Sequence, residues 1–282
     1  MSIILYHTNT PIPKHLNDCI TKIKQYSNIP IYLLTDSSYQ KEGVTVIDVK
    51  TYANSCEWLN KIKLIDSNDP MWTSSSYRFF YIKEFIAEKQ LTNVLTFDND
   101  VLLFENPEKI IELLSSDYEQ FAVTSHSPDE IVMGMCFIKN IKSIENICNF
   151  LQKEYAIPLH SLRQKYQNYP TEMRILGKNN IVDFLPTLPS QIASERFSKN
   201  YDKYHSVFDP SSYGQFLGGL PAIHDPQSKP GWYSKWQEIG KNIDNGNIQV
   251  IMEDKHPYLI YAGVKIKINN LHIHSKLTER FI

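Results

Sequence analysis

Short apolar segments alternate with amphipathic helical segments through the first hundred residues. Strand-like apolar segments stand at 3–7, 29–36 and 44–49, and apolar residues recur with helical spacing over 13–26 and 74–90. The segment 74–90 begins with serines that could cap a helix. Because strands that alternate with helices build parallel sheets covered by helices, the pattern predicts an α/β fold with a mostly parallel central sheet.

The second half of the chain is less regular. Residues 121–126 and 133–140 have strand-like patterns and 144–155 a helical one. Polar and aromatic loops then dominate until strand-like alternation returns near residue 258. Since neither an internal repeat nor a low-complexity linker divides the sequence, we predict a single α/β domain over 1–282.

Composition and charge argue against several classes of protein. The 282 residues are 42% hydrophobic and 21% charged, with a formal net charge of −2, which is typical of a globular chain of enzyme size. Lysine and arginine are spread along the sequence, so no nucleic-acid partner is expected. No apolar run approaches a membrane span, and the N-terminus lacks the long apolar region of a secretory signal. The four cysteines have no C-x-x-C spacing, which favours reduced thiols and a cytoplasmic location.

The stretch "VLTFDNDVLLF" at 94–104 sets Asp98, Asn99 and Asp100 between two apolar runs. Ligands of open α/β sheets bind outside the carboxyl ends of strands, which is where Asp98 would lie. Two carboxylates there could share a divalent cation that also keeps phosphate oxygens as ligands. The alternative is a hairpin tip, because Asp and Asn are common turn residues. Burying two uncompensated carboxylates would be costly, and this favours a metal.

The C-terminal stretch "LHIHSK" offers partners for such an ion. His272, His274 and Lys276 recur with period two and would share one face of a strand. An imidazole there could complete the metal site and the lysine could hold a phosphate. The alternative is a surface strand with two solvated histidines.

Arg78 is a further candidate. The predicted helix places it near the first turn, where the helix dipole disfavours a cation unless an anion lies close by. Asp98, Asp100 or a ligand phosphate would be that anion. The alternative is an ordinary exposed arginine.

Taken together, these motifs resemble the nucleotide-sugar glycosyltransferases of the GT-A fold, in particular small soluble enzymes of bacterial and large-DNA-virus type. The segments that carry the resemblance are "IILYHTN", "SSYRFFYIKEFI", "VLTFDNDVLLF", "FDPSSYGQFLGG" and "LHIHSK", spread from about residue 3 to residue 277. The resemblance implies a nucleotide-binding half over about 1–105 and an acceptor-side half over about 106–282. It also implies sugar transfer to a glycan or other hydroxyl acceptor with Mn²⁺ or Mg²⁺. The donor would be a UDP-sugar, with a GDP-sugar as the second candidate.

The same resemblance implies roles for individual residues. The expected metal ligands are Asp98, Asp100 and His274, with Asp98 also reaching the ribose or the water shell of the metal. The residues expected at the nucleotide are Thr8, Asn9, Asp36, Arg78, Asp98, Asn99 and Lys276, the last of them on the diphosphate. The residues expected to border the sugar are Gln215, Gly218 and Gly219.

The catalytic base is the open part of this interpretation. An inverting transferase needs a base within reach of the acceptor hydroxyl, and the acids on this side are Asp129, Glu130, Asp209 and Asp225. Asp209 is the preferred candidate, with an Asp-Pro turn as its alternative.

Other functional classes match the sequence less well. An aspartyl-phosphate phosphatase would open its first strand with D-x-D, and a zinc hydrolase would need a frame such as H-E-x-x-H. The serious rival is a non-catalytic sugar- or nucleotide-binding module of the same fold. Release of nucleoside diphosphate from a nucleotide-sugar would separate it from an enzyme.

Overall fold

The structure is a computed structural model that describes residues 1–57, 59, 70–167, 170–221, 224 and 229–282. These residues form a seven-stranded sheet, a four-stranded sheet and a two-stranded sheet. In chain order the strands are β1 (Ser2–His7), β2 (Ile31–Thr35), β3 (Val44–Asp48), β4 (Val94–Thr96), β5 (Val101–Leu103), β6 (Ala122–Ser127), β7 (Glu130–Ile138), β8 (Asp183–Phe184), β9 (Ser206–Val207), β10 (Ile248–Glu253), β11 (His256–Tyr261), β12 (Val264–Ile268) and β13 (Asn270–His272).

The helices lie mostly between these strands. In chain order they are α1 (Lys14–Tyr26), α2 (Pro70–Lys89), α3 (Pro107–Ser115), α4 (Ile141–Tyr155), α5 (Leu159–Lys165), α6 (Glu172–Gly177), α7 (Glu195–Ser198), α8 (Tyr201–Tyr204), α9 (Ser212–Gly218) and α10 (Glu238–Asp244). Short 3-10 helices span Val49–Tyr52 and Thr278–Phe281. Within the described ranges, no helix is both long enough and apolar enough to cross a membrane.

The large sheet has the strand order β3-β2-β1-β4-β7-β6-β8. The pairs β1–β2, β1–β4, β2–β3 and β6–β8 are parallel, while β7 runs antiparallel to both β4 and β6. The predicted α/β fold with a mostly parallel central sheet is therefore confirmed. Of the strands in these pairs, β7 alone runs in the opposite direction. The carboxyl ends of β1, β2, β4 and β6 therefore lie along one edge of the sheet, which we call the carboxyl edge.

The alternation of side chains in β1 shows how helices cover both faces of this sheet. Ile4 packs in a core cluster with Phe79 of α2, whereas its neighbours Ile3 and Leu5 pack in a second cluster with Leu16 of α1. Successive residues of a strand point to opposite faces, so an apolar strand such as β1 needs a helix on each side. Each large side chain buried in this way contributes about 1.5–3 kcal/mol.

Residues 98–100, which we call the acidic step, join two sheets and are not a hairpin tip. Strand β4 belongs to the large sheet, and β5, directly after the step, pairs with β13. The N–H of Ile273 also donates to the carbonyl of Asp100 at 2.9 Å. The fold thus carries the C-terminal histidine segment onto the acidic step, although about 170 residues separate the two in sequence.

Two expectations about local structure are wrong. Helix α2 begins at Pro70, so the serines at 74–76 lie inside it and Arg78 lies in its third turn. Proline is favoured at the first position of a helix, so the helix begins at Pro70 and not at the serines. The dipole argument for Arg78 therefore does not apply. The strand β10 was not predicted at all, whereas β11, β12 and β13 confirm the expected C-terminal alternation.

Candidate metal centre

Three possible metal ligands meet at the carboxyl edge. The ligand atoms of Asp98, Asp100 and His272 all lie within 4.8 Å of one another. Nε2 of His272 is 3.2 Å from Oδ1 of Asp100 and 3.6 Å from Oδ2 of Asp98. The N–H of Val101 donates to the carbonyl of Asp98 at 3.1 Å, and this turn brings the two carboxylates together. Asp100 and His272 are buried, while Asp98 is half-buried.

His272 is held in place by the start of α9. The carboxylate of Asp209 accepts the backbone N–H groups of His272 at 2.8 Å, Gly214 at 2.8 Å and Tyr213 at 2.9 Å. A Cβ on Gly214 would lie 2.0 Å from the carbonyl oxygen of His272, so a side chain there would force α9 away from β13. Asp209 and Gly214 therefore fix the backbone from which the imidazole projects.

Two cations neutralise the carboxylates. Arg78 forms an ion pair with Asp98 through Nη1, and its Nη2 lies 3.8 Å from Oε1 of Glu172. Lys276, whose side chain is half exposed, forms an ion pair with Asp100. Burial by itself would lower the pKa of Arg78, but the two carboxylates outweigh it and raise that pKa. The expected association of Arg78 with the acidic step is thus present, although the reason is tertiary packing.

The charges of the cluster are strongly linked. Burial would raise the pKa of Asp100, but His272 and Lys276 outweigh it and hold that pKa well below its usual range. Burial would likewise lower the pKa of His272, and the carboxylates of Asp100 and Asp98 raise it instead. Asp100 is consequently a carboxylate at neutral pH, which is the form that binds a cation.

The residues present fit a divalent cation such as Mn²⁺ or Mg²⁺. Carboxylate oxygens suit both ions, and an imidazole is an accepted ligand of transition metals. Oδ1 of Asn99, the residue between the two aspartates, is buried and has no hydrogen-bond partner within the described part of the chain. A buried polar atom without a partner next to converging carboxylates is expected of a site that takes a further ligand.

The structure brings His272, and not the predicted His274, to the two carboxylates. His272 is 4% exposed, so the alternative of a surface strand with two solvated histidines is wrong. Strand β13 ends at His272, and the period of two therefore does not continue to His274. The His274 ring lies 4.6 Å from the His272 ring, and its Nδ1 is 3.1 Å from Nε2 of Gln215. Burial, with His272 next in effect, lowers the pKa of His274 to about 3, so this ring is neutral.

The residues predicted at the nucleotide line the carboxyl edge beside this cluster. Nδ2 of Asn99 lies 3.0 Å from Nδ1 of His7, and the backbone N–H of Asn9 donates to Asp36 at 3.0 Å. Asn9 has a φ of 68°, which Asn tolerates better than most residues. The Thr8 hydroxyl is 2.9 Å from that of Ser74. These contacts link the end of β4 through β1 to the end of β2.

A surface cleft continues the carboxyl edge beyond β1. It has a volume of about 550 Å³ and is lined by Thr35, Asp36, Ser37, Ser38, Tyr39, Gln40, Val46 and Asp48. Asp36 therefore belongs both to the cleft and to the hydrogen-bonded chain that leads toward Asn99. The carboxyl edge thus contains both a polar cleft and a cluster of side chains that could hold a metal ion.

The environment of Asp209 argues against its predicted role as a base. The residue is 0% exposed, and its carboxylate already accepts three backbone N–H groups. Burial raises the pKa of Asp209 to about 6, while those N–H groups act in the opposite direction. A carboxylate enclosed in this way has no free path to a substrate hydroxyl, and its contacts give it a structural role.

The remaining predicted residues of the sugar side are dispersed. Gln215 is buried beside His274, whereas Gly218 ends α9 and Gly219 follows it with a φ of 79° that favours glycine. Asp129 is exposed, 3.9 Å from Lys178. Asp225 lies outside the described residues.

Sequence reasoning missed one charged network at the end of β6. Glu130 binds both His126, at 3.0 Å, and Arg174, at 2.8 Å. Glu172 is likewise buried, against Arg78. The close spacing of His126 and Glu130 is a weak signal of this network, because its arginine is 44 residues away from Glu130 in sequence.

Comparisons with known proteins return solved structures only. No family model matches the chain, and no curated protein matches it. Mouse xyloside xylosyltransferase 1 in its apo form has a TM-score of 0.48 at 9% identity, covering 67% of this chain and 88% of that one. The galactosyltransferase LgtC, in complex with donor and acceptor sugar analogues, has a TM-score of 0.41 at 13% identity, covering 66% and 73%.

GlyE of Streptococcus pneumoniae TIGR4, a glycosyltransferase, has a TM-score of 0.41 at 18% identity, covering 72% of this chain and 48% of that one. All three are glycosyltransferases by name.

Proposed function

We propose that this chain is a metal-dependent glycosyltransferase that moves a sugar from a nucleotide-diphosphate sugar to a hydroxyl acceptor. The observation that carries the proposal is the convergence of Asp98, Asp100 and His272 within 4.8 Å at the carboxyl edge. A UDP-sugar is the favoured donor, a GDP-sugar is the second candidate, and the acceptor is a glycan or another hydroxyl compound. Because all four cysteines are free thiols, we keep the cytoplasm as the proposed location.

In the proposed reaction the acceptor oxygen bonds to the anomeric carbon of the donor. The bond from that carbon to the diphosphate breaks with its electron pair, and the hydroxyl proton is released. Asp98, Asp100 and His272 would hold Mn²⁺ or Mg²⁺, which when bound neutralises the charge that develops on the diphosphate.

The protein's own groups have three further tasks in this proposal. Arg78 keeps the Asp98 carboxylate in position from within α2. Lys276 is half exposed and is proposed to contact the diphosphate. Thr8, Asn9 and Asp36 are proposed to contact the nucleoside, with the base in the cleft beside Asp36.

A non-catalytic sugar- or nucleotide-binding module is the second candidate, because the same cluster could bind a donor without reacting. The decisive experiment has two parts. Nucleotide-sugars are first screened by thermal shift with and without Mn²⁺, since a ligand of the native state raises the melting temperature. Slow release of nucleoside diphosphate from the best donor is then measured. We expect Mn²⁺-dependent release that EDTA abolishes. Full activity in EDTA would contradict the metal assignment, and binding without any release would support the module.

A further inference from the structure

Trp236 stands in solvent near the β6 end of the carboxyl edge. Its side chain is 55% exposed, and the other large hydrophobic residues exposed to this degree within the described ranges are Met1 and Val264. Met1 precedes β1 at the opposite edge of the sheet, and Val264 begins β12 in another sheet. An exposed indole that contacts His126, on the same sheet edge as the candidate metal centre, therefore calls for a separate explanation.

The indole is held from two sides. Its ring lies edge-to-face with the His126 imidazole, with centroids 4.8 Å apart and planes at 88°. The next residue, Gln237, accepts a hydrogen bond at 2.9 Å from Ser212 of α9. Helix α10 begins directly afterwards and packs against β6 and α9. A ligand that used this ring would therefore meet a side chain whose position is already fixed, which lowers the entropic cost of binding.

The support beneath the indole is a buried ion-paired group. Nε2 of His126 is 3.0 Å from Oε2 of Glu130, and Nε of Arg174 donates to Oε1 of Glu130 at 2.8 Å. His126 and Glu130 are 7% and 6% exposed. Nδ1 of His126 is buried and has no hydrogen-bond partner among the described residues. This buried group therefore contains one polar atom, Nδ1 of His126, that is available to a further hydrogen-bond partner.

A second buried atom without a hydrogen-bond partner among the described residues belongs to Gln215 of α9, next to His274. Oε1 of Gln215 is buried without a hydrogen-bond partner within the described chain, while Nε2 of the same side chain is 3.1 Å from Nδ1 of His274. Gln215 follows Ser212 by three residues on α9, so both side chains are on the same side of that helix. The part of the described chain that includes Trp236, His126 and Gln215 thus combines one exposed aromatic ring with two buried polar atoms that have no partner there.

This combination matches the chemistry of a pyranose ring. A pyranose presents a face of C–H groups that packs on an aromatic ring, surrounded by hydroxyls that need hydrogen-bond partners. A lipid would instead need a contiguous apolar patch of several hundred Å². We propose, on the basis of the proposed glycosyltransferase function, that Trp236 is the stacking platform of an acceptor subsite and that the acceptor is a carbohydrate. The acceptor hydroxyl would then reach the donor from the side of the metal cluster opposite the Asp36 cleft.

The experiment measures sugar binding separately from donor chemistry. Saturation-transfer NMR is recorded with methyl α- and β-pyranosides of glucose, galactose and mannose, in the presence of Mn²⁺ and the nucleoside diphosphate selected by the donor screen. The variants are Trp236→Ala and Trp236→Phe, with Val264→Ala as the control for an exposed apolar side chain elsewhere. We expect at least one pyranoside to bind the natural chain, Trp236→Ala to weaken it about tenfold and Trp236→Phe to weaken it less than about threefold. Nucleoside diphosphate binding and the melting temperature should stay unchanged in Trp236→Ala.

Several results would overturn the inference. One is the absence of pyranoside binding to the natural chain, and another is an equal loss in Val264→Ala. A loss of nucleoside diphosphate binding in Trp236→Ala would assign the indole to the donor site instead. The proposed function is tested independently by Mn²⁺-dependent donor hydrolysis in the natural chain. Its failure would leave a pyranoside-binding result in place, and a normal hydrolysis rate without pyranoside binding would reject the acceptor inference alone.

Discussion

Two clusters on the same carboxyl edge are built from the same kinds of side chain and differ in what they can bind. At the end of β4, Asp98 and Asp100 converge with His272. At the end of β6, a single carboxylate, Glu130, faces His126. Both clusters are buried or half-buried, and each contains an arginine ion pair.

The difference lies in the balance between carboxylates and hydrogen-bond donors. Both oxygens of Glu130 are occupied, one by His126 and the other by Arg174, so the hydrogen-bonding needs of this carboxylate are met within the protein. Asp98 and Asp100 instead bring two negative charges to one imidazole, and Lys276, which is half exposed, neutralises one of them from the solvent side. A cation can replace a lysine of this kind, whereas it would have to break a saturated pair at Glu130. The number of converging carboxylates, more than burial, is therefore what separates the candidate metal centre from the cluster at Glu130.

The largest effect is expected for Asp100→Asn. The substitution keeps the volume of the side chain and removes the charge that faces both His272 and Lys276. We expect Mn²⁺-dependent donor turnover to fall by about 100-fold or more, the scale seen when a key electrostatic group is lost. Turnover is measured with the donor found by the thermal-shift screen. Asp117→Asn, which removes a carboxylate paired with Lys203 away from this edge, is the matched control. Near-normal turnover in Asp100→Asn would mean that the acidic step is only a turn and does not bind a metal.

A smaller effect is expected when the two neighbouring histidines are compared. His272→Ala should raise the Mn²⁺ concentration for half-maximal activity about 10- to 100-fold, because it removes a nitrogen that lies beside both carboxylates. His274→Ala should raise it less than about fivefold, because that ring binds Gln215 instead. A larger shift for His274 would restore the ligand set implied by the family resemblance.

Local signals were sufficient to predict much of the fold and the acidic step. The strands β1 to β4 and the helix α1 follow from apolar periodicity, which depends only on neighbours in sequence. Asp98 and Asp100 were recognised because charged residues interrupt a run that is otherwise buried. These features survive in the structure because tertiary packing agrees with the local preference.

The errors concern features that only tertiary contacts decide. The choice between His272 and His274 depends on where β13 ends and on the close approach of Gly214 to the carbonyl of His272. The carboxylate of Asp209 accepts two N–H groups from the start of α9 and one from His272, which is 63 residues away. The contact with His272 is not encoded in any sequence spacing, so the sequence could not separate a candidate base from a residue that fixes the backbone.

The second cluster predicts loss of stability without loss of metal binding. Glu130→Gln removes the charge between His126 and Arg174 while keeping a similar shape. We expect the free energy of unfolding to fall by about 1–2 kcal/mol, because a buried charged partner is lost. Mn²⁺ affinity, measured by titration calorimetry, should change less than about twofold. Urea unfolding gives the stability. If Mn²⁺ affinity fell as far as in the Asp100 variant, the two clusters would have to act as one site.

The smallest effect, and the one with an unusual sign, is expected for Lys276→Met. Lys276 pairs with Asp100, so its ammonium competes with a cation for the same carboxylate. Lys276 is half exposed, although Asp100 is buried, so we take the upper end of the range for exposed pairs, about 1 kcal/mol. Without nucleotide, Lys276→Met should therefore bind Mn²⁺ up to about fivefold more tightly than the natural chain. With the nucleoside diphosphate present the order should reverse, because the proposed diphosphate contact of Lys276 is lost.

Titration calorimetry with Mn²⁺, with and without the nucleoside diphosphate, measures both halves of this prediction. Lys14→Met is the matched control, since Lys14 is an exposed lysine that lies 3.6 Å from Glu279 and touches neither aspartate of the cluster. Tighter Mn²⁺ binding by both variants would reflect net charge alone. Weaker Mn²⁺ binding by Lys276→Met without nucleotide would mean that the lysine supports the carboxylate more than it competes for it. The β4 cluster would then resemble the internally satisfied pair at Glu130, and the contrast between the two ends of the edge would rest on the second carboxylate alone.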